Sequence, residues 1–244
     1  SLADAQKLKD DGVKLTIPAG VEVKAYADAV LVVTRGSKLE ALGTATQPIT
    51  PTMDARPAYG ALILEDNFSN ETSWSTGRMG SGSIAFGQNE LTMAVNRPDG
   101  YLYSLLQSGS LASYYLEITA SPTICRGSDE YGLLLRVSPN LDFYRFSLTC
   151  DGQTRLDRFF QGKASSPQAL TPSGAAPRGA PSSSRLAVQA EGKTLHFYIN
   201  GAYQFTIRDA SLPSGGVGVF VRAGSSDAVT VNFSDLKIYQ LNSP

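Results

Sequence analysis

Apolar and polar residues alternate at a period of two along most of this chain. The clearest case is Leu195-His-Phe-Tyr-Ile-Asn-Gly-Ala-Tyr-Gln-Phe-Thr-Ile207. Leu195, Phe197 and Ile199 share one face, and Tyr203, Phe205 and Ile207 answer them across Asn200-Gly201. Asn-Gly suits a type I′ turn, whose two central residues both need positive φ, so the segment predicts a hairpin. The same alternation predicts strands over 61–65, 82–86, 90–95, 100–106, 114–121, 131–137 and 143–148. It continues over 154–160, 185–190, 194–200, 203–209, 216–221 and 229–239. Short strands broken by Gly, Pro and Asn, with no intervening helical pattern, indicate an all-β, two-sheet antiparallel sandwich. Residues 165–184 are rich in Ser, Pro, Ala and Gly and are expected to form a long exposed loop.

The pattern changes toward the N-terminus. Residues 1–42 read as a small β module, with a short helix over 3–9 and strands over 13–17, 21–25, 29–34 and 37–42. Pro18-Ala-Gly20 marks a turn and Arg35-Gly36 a hairpin-like break. About forty residues without a staple make a marginal domain, expected to lean on its neighbour or on a partner. Residues 43–60, punctuated by Pro48, Pro51 and Pro57, read as an extended linker, and 61–244 as the main domain.

Charge narrows the partners. The chain carries 21 Lys and Arg against 22 Asp and Glu, which gives no basic patch for nucleic acid. No apolar run is long enough to span a bilayer, so no membrane insertion is expected from this segment.

The chain has two cysteines, Cys125 and Cys150. If the strands before, between and after them form a meander, both cysteines lie at one end of the sheet and can pair. The alternative is two unrelated buried thiols. A disulfide closing this loop is worth about 3 kcal/mol in the chain-entropy model and implies an extracellular or cell-surface setting.

Three sets of residues carry a family resemblance. The first is Asp66-Asn-Phe-Ser69 followed by Trp74. The second is Tyr131-Gly-Leu-Leu-Leu-Arg136, then Asp142-Phe-Tyr-Arg-Phe146 and Asp151-Gly152. The third is the Asn200-Gly201 hairpin, Gly216-Val-Gly-Val-Phe220 and Asn232-Phe-Ser-Asp-Leu-Lys-Ile-Tyr239. Together they resemble the laminin-G-like, concanavalin A-like jelly rolls of bacterial secreted proteins, relatives of the 3-keto-disaccharide hydrolase-like domains. The resemblance covers about 61–241. It implies two antiparallel sheets, one curved over a concave face. That family includes carbohydrate-binding modules, adhesion domains and glycoside-cleaving enzymes, so the fold does not choose among them.

The residues themselves favour binding. Sandwich glucanases space their acids alternately on one strand, and this chain has no such string. Asp129 and Glu130 are adjacent and read as loop acids, Asp142 and Asp157 stand alone, and His196 is expected on an outer sheet face. Asp66 and Asp235 each sit beside Asn-Phe-Ser at the domain's two ends. They are the candidate metal ligands, for calcium as the one cofactor the sequence raises. Capping of turns by these carboxylates is the alternative. The candidate ligand-binding residues are Arg136, Phe143, Arg145, Arg155 and Asp157, an outward stripe of arginine, aromatic and acid. Aromatic faces stack on sugar rings while Arg and Asp bond hydroxyls; simple cross-strand pairing is the alternative. Tyr101 and Tyr103 are a second outward pair. The expected function is non-catalytic recognition of a glycan or other cell-surface ligand. A glycoside-cleaving enzyme of the same fold and a structural or sensor ectodomain without a small ligand are the alternatives.

Overall fold

The computed structural model describes residues 14–18, 22–26, 38–41, 44, 50–54, 59–107, 109–224 and 228–241. The chain divides into two units, Ser1–Ala58 and Tyr59–Pro244. The first holds β1 (Lys14–Ile17), β2 (Glu22–Tyr26), β3 (Lys38–Ala41) and β4 (Thr50–Asp54). Strands β1 and β3 pair in parallel, as do β2 and β4. Parallel partners cannot be joined by a tight turn and need a long crossover, so these strands pair with distant partners and not with their chain neighbours. Strand β4 lies within the stretch read as a linker. The helix expected over 3–9 and the strand over 29–34 fall outside the described residues.

The second unit opens with β5 (Tyr59–Asp66), β6 (Gly77–Met79), β7 (Gly82–Phe86), β8 (Leu91–Val95) and β9 (Tyr101–Leu105). It continues through β10 (Tyr114–Ile124), β11 (Glu130–Val137), β12 (Phe143–Thr149), β13 (Gln153–Phe160) and β14 (Lys163–Pro172). It closes with β15 (Ser184–Glu191), β16 (Thr194–Ile199), β17 (Ala202–Arg208), β18 (Gly216–Arg222) and β19 (Val229–Leu241). A nine-stranded antiparallel sheet runs β17-β16-β15-β10-β19-β8-β7-β6, with β5 also beside β19. A six-stranded antiparallel sheet runs β14-β13-β12-β11-β18-β9. No helix occurs among the described residues. The unit is an all-β antiparallel sandwich, as the alternation predicts, in the jelly-roll form that the resemblance implies.

The inward residues of the two sheets form one core. Leu116, Ile118, Val188 and Phe233 of the nine-stranded sheet meet Leu133, Leu135, Leu148 and Val219 of the six-stranded one. Phe146 packs against Phe197 at 4.8 Å and Phe205 at 5.9 Å between ring centroids, tying the sheets together. Each such buried side chain contributes about 1.5–3 kcal/mol. The Asn200-Gly201 turn has φ of 52° and 77°, as its type requires.

Four expectations change. Strand β14 occupies the expected 165–184 loop as far as Pro172; it is an edge strand exposed at nearly every position and so shows no alternation. Tyr203 points outward, opposite Tyr198, because a register shift after Phe197 inserts an extra residue. Strand β10 belongs to the sheet opposite β11 and β12, so the cysteines do not bracket a meander. Cys125 and Cys150 are nonetheless joined, with Cα atoms 5.7 Å apart, because the crossing from β10 to β11 lies at the end where β12 finishes. The bond therefore links the two sheets. Finally, Arg136 lies on the core side with a φ of 53°, at a bulge between Leu135 and Val137. The bulge exchanges the facing of Arg136 and Val137: Val137 joins Leu134 and Phe220 on the outer face.

Candidate functional site

The outer face of the six-stranded sheet is built from four cross-strand rows. Tyr101, Arg222, Glu130 and Thr149 form the first. Tyr103, Phe220, Gly132, Ser147 and Arg155 form the second. The third holds Leu105, Gly218, Leu134, Arg145 and Asp157, and the last pairs Phe143 with Phe159. Directly opposed residues share a face, so register alone gathers these side chains. Gly132 is required here: a Cβ would collide with the Phe146 carbonyl, and the Phe220 ring lies over the position.

The polar half of this face is an ion-pair chain. Arg145 Nη2 donates to Asp157 Oδ2 at 2.7 Å, and Arg155 Nε lies 3.1 Å from the same oxygen. Arg155 Nη2 also donates to both Glu130 oxygens, at 2.8 and 2.9 Å. Arg222 Nη1 reaches Glu130 Oε1 at 3.2 Å, and the Ser166 hydroxyl donates to Asp157 Oδ1 at 2.7 Å. Glu130, Asp157 and Arg145 are 5%, 5% and 9% exposed, so the charges are largely withdrawn from water and depend on each other.

Aromatic rings close around Arg145. Its guanidinium carbon lies 5.0 Å from the Phe159 centroid, 5.5 Å from Phe220 and 5.9 Å from Tyr101, within cation–π range. Phe143 and Phe159 pack at 4.7 Å, and Tyr101 stacks on Phe220 at 5.8 Å. Burial pushes the Tyr101 phenol up to about 12, against the opposing pull of Arg145. Tyr103, 39% exposed, carries the aromatic surface out to solvent. A cleft of about 510 Å³ opens at the edge of the face between Leu105 and Val137 and loop residues Ser110, Ser138 and Ser214.

Phe143, Arg145, Arg155 and Asp157 therefore come together as the alternation indicates, with Tyr101 and Tyr103 beside them. Arg136 does not join them. It is fully buried, and its guanidinium donates to the carbonyls of Leu212, Ala112 and Gly192 at 2.8, 3.1 and 2.6 Å, so it braces three loops from within. Glu130, Phe220 and Arg222 were not among the expected site residues. Their signal was present: Glu130 shares the parity of Leu134, and Phe220 and Arg222 alternate with the inward Val217, Val219 and Val221.

The Asp66 carboxylate serves the fold. Its Oδ1 accepts from the Phe68 amide at 2.7 Å and its Oδ2 from the Trp74 indole at 2.9 Å, and Phe68 stacks on Trp74 at 5.4 Å. The Asp-Asn-Phe-Ser…Trp motif is thus a capped turn with an anchored ring. Asp66 pairs with Leu236 across β5 and β19, which brings the domain's ends together, while Asp235 stands exposed at a positive φ of 51°. Among the described residues, Cys125, Asp129 and Cys150 form the one group of three potential metal ligands in close reach, and its two sulfurs are bonded to each other. Asp129 instead accepts the Arg126 and Gly224 amides at 2.8 and 2.9 Å, fixing the loop around the disulfide.

No family model and no curated protein matches the chain. Solved structures do. A carbohydrate-binding module, CBM66 from Bacillus subtilis, is 19% identical, covering 69% of this chain and 96% of that one, at a TM-score of 0.50. A Bacillus licheniformis beta-glucanase is 11% identical over 75% of this chain and 99% of that one, at 0.55. The catalytic domain of an endo-1,3-beta-glucanase (laminarinase) from Thermotoga petrophila RKU-1 is 8% identical over 75% and 98%, also at 0.55. At such identities the likeness establishes the fold alone, a jelly-roll β-sandwich.

Proposed function

We propose that the second unit is a non-catalytic, secreted carbohydrate-recognition domain, of the laminin-G-like group its motifs resemble. Its ligand lies along the outer face of the six-stranded sheet. The observation that carries the reading is the arginine–carboxylate chain ringed by Tyr101, Tyr103, Phe143, Phe159 and Phe220. Rings beside fixed, directional polar groups match a sugar's apolar faces and hydroxyls. A buried ion-pair chain is a costly way to stabilise a sheet, since apolar residues of similar volume would serve as well or better. The fold neighbours include a carbohydrate-binding module and glycan-cleaving enzymes, which supports a glycan as ligand.

A second reading has one observation behind it: Glu130 and Asp157, two carboxyls, lie on the same face, as a glycosidase requires. Each, however, is already engaged by arginine, so neither carboxyl stands free to meet a glycosidic oxygen. A glycan array with the purified chain, read beside a reducing-end assay on the glycans it retains, separates the two. Retention without new reducing ends is the expected result. Cleavage abolished by Glu130→Gln would establish the enzyme, and an array with no retained glycan would remove both readings.

A further inference from the structure

We infer that the glycan bound on this face is acidic, and that a sugar carboxylate docks on the guanidiniums of Arg155 and Arg222. This rests on the carbohydrate reading above and names its ligand class. The observation is an imbalance. Three guanidiniums, Arg145, Arg155 and Arg222, meet two carboxylates, Glu130 and Asp157. Every carboxylate oxygen is already engaged. Asp157 Oδ1 takes the Ser166 hydroxyl, and its Oδ2 takes Arg145 and faces Arg155 Nε. Glu130 Oε1 takes Arg155 and Arg222, and its Oε2 takes Arg155.

Donors remain. A guanidinium carries five N–H groups and accepts nothing, so three of them far exceed what two carboxylates can absorb. Arg145 Nε is buried and has no hydrogen-bond partner among the described residues, and neither has the Ser147 hydroxyl one row away on the same face. A neutral sugar hydroxyl needs both donors and acceptors around it; this network offers chiefly donors and one uncompensated positive charge. The complementary group is an anion. A planar carboxylate lies along a guanidinium fork and takes two parallel N–H bonds, and sulfate is the competing anion that the test includes.

Access falls where the ring surface is. The Arg155 and Arg222 side chains are 22% and 36% exposed, whereas that of Arg145 is 11%. Arg222 lies directly opposite Tyr101, with Tyr103 its diagonal neighbour on the same face. Diagonal neighbours stand about 7–8 Å apart, so one sugar ring resting on Tyr103 reaches Arg222 with its carboxylate.

The test uses the whole chain, with calorimetry against oligogalacturonate, oligoglucuronate and oligomannuronate, the methyl esters of each, and a sulfated neutral oligosaccharide. At least one acid is expected to bind about tenfold tighter than its own ester, because the ester keeps the ring and loses the charge. That margin should shrink between about 50 mM and about 500 mM salt. Arg222→Met, which leaves two guanidiniums for two carboxylates, should erase the margin without lowering the melting temperature. Equal affinity for acid and ester, or a margin that survives Arg222→Met, overturns the inference while glycan recognition stands. Tightest binding of the sulfated sugar also overturns it. If nothing on the panel or on the neutral glycan array binds, the carbohydrate reading falls with it.

Discussion

The outer faces of the two sheets both carry arginine, carboxylate and tyrosine, yet they are built differently. On the nine-stranded sheet Arg185 bonds Glu117 at 2.7 Å, the Thr119 hydroxyl and the Asp235 carbonyl, and Lys237 lies 3.2 Å from Glu65. The ion pairs there are one to one and open to water, with side chains from 23% to 54% exposed. His196 on that face bonds Thr206, and partial burial holds its imidazole below the usual histidine value. On the six-stranded sheet the network is unequal, buried at Glu130, Asp157 and Arg145, and ringed by aromatics. On the proposed assignment, the difference separates a ligand face from an ordinary sheet face of similar composition. In the first, both carboxylates and Arg145 have given up solvent and the arginines outnumber the carboxylates; in the second, the charges remain solvated and paired one to one.

The largest expected effect breaks that comparison directly. Asp157→Ala leaves the buried Arg145 without its carboxylate acceptor and Arg155 with Glu130 alone, and should cost about 3–5 kcal/mol, whereas Glu117→Ala on the other face should cost about 0.2–1 kcal/mol. Denaturant unfolding of the two variants is the measurement; equal losses would make the two faces equivalent. Next comes Arg136→Met, which strips three loop carbonyls, that of the buried Leu212 among them, of their shared donor. At about 1 kcal/mol for each, the loss is about 3 kcal/mol, with no change in the affinity of the folded protein for its glycan. Impaired binding by the folded variant would return Arg136 to the site. Replacing Cys125 and Cys150 by serine together should cost a similar amount, about 3 kcal/mol, by loosening the link between the sheets.

A smaller effect concerns pH. Burial alone would raise the Asp209 carboxyl, but the Ser211 hydroxyl and amide and the Arg158 guanidinium outweigh it and hold the group below its ordinary value. Arg158 on β13 meets Asp209 beyond β17 at 2.6 Å, so the pair joins the two sheets. A lowered carboxyl stabilises the folded state above the ordinary carboxylate range, and that contribution disappears as pH falls through the lowered value. Asp209→Asn should therefore melt closer to the parent in acid than at neutral pH. A gap that does not narrow would deny the pair its role.

The strands were legible because burial of one or both faces writes a period of two into the sequence, and register then placed Phe143, Arg145, Arg155 and Asp157 together. Bulges leave no such mark. The irregularities at Arg136 and at Gln204, just after Tyr203, each reversed the facing of a residue that alternation assigns with equal conviction to the other side. Strand β14 was hidden because an edge strand exposed on both faces has no apolar side to repeat. Glu130 was hidden by one residue of strand boundary. The parallel pairs of the first unit were illegible for a different reason: partner choice among distant strands depends on crossovers that local pattern does not encode.

Two exposed tyrosines offer the most direct test, because they sit on the two faces being compared: Tyr103 at 39% and Tyr203 at 48% exposure. The measurement is the affinity of Tyr103→Ala and of Tyr203→Ala for the glycan the parent retains, with melting temperatures alongside. Tyr103→Ala should weaken binding about tenfold, the loss of one well-placed ring contact worth about 1.4 kcal/mol, while both variants melt close to the parent. Tyr203→Ala should bind as the parent does. Undiminished binding by Tyr103→Ala, or a loss confined to Tyr203→Ala, would contradict the assignment of the site to the six-stranded sheet.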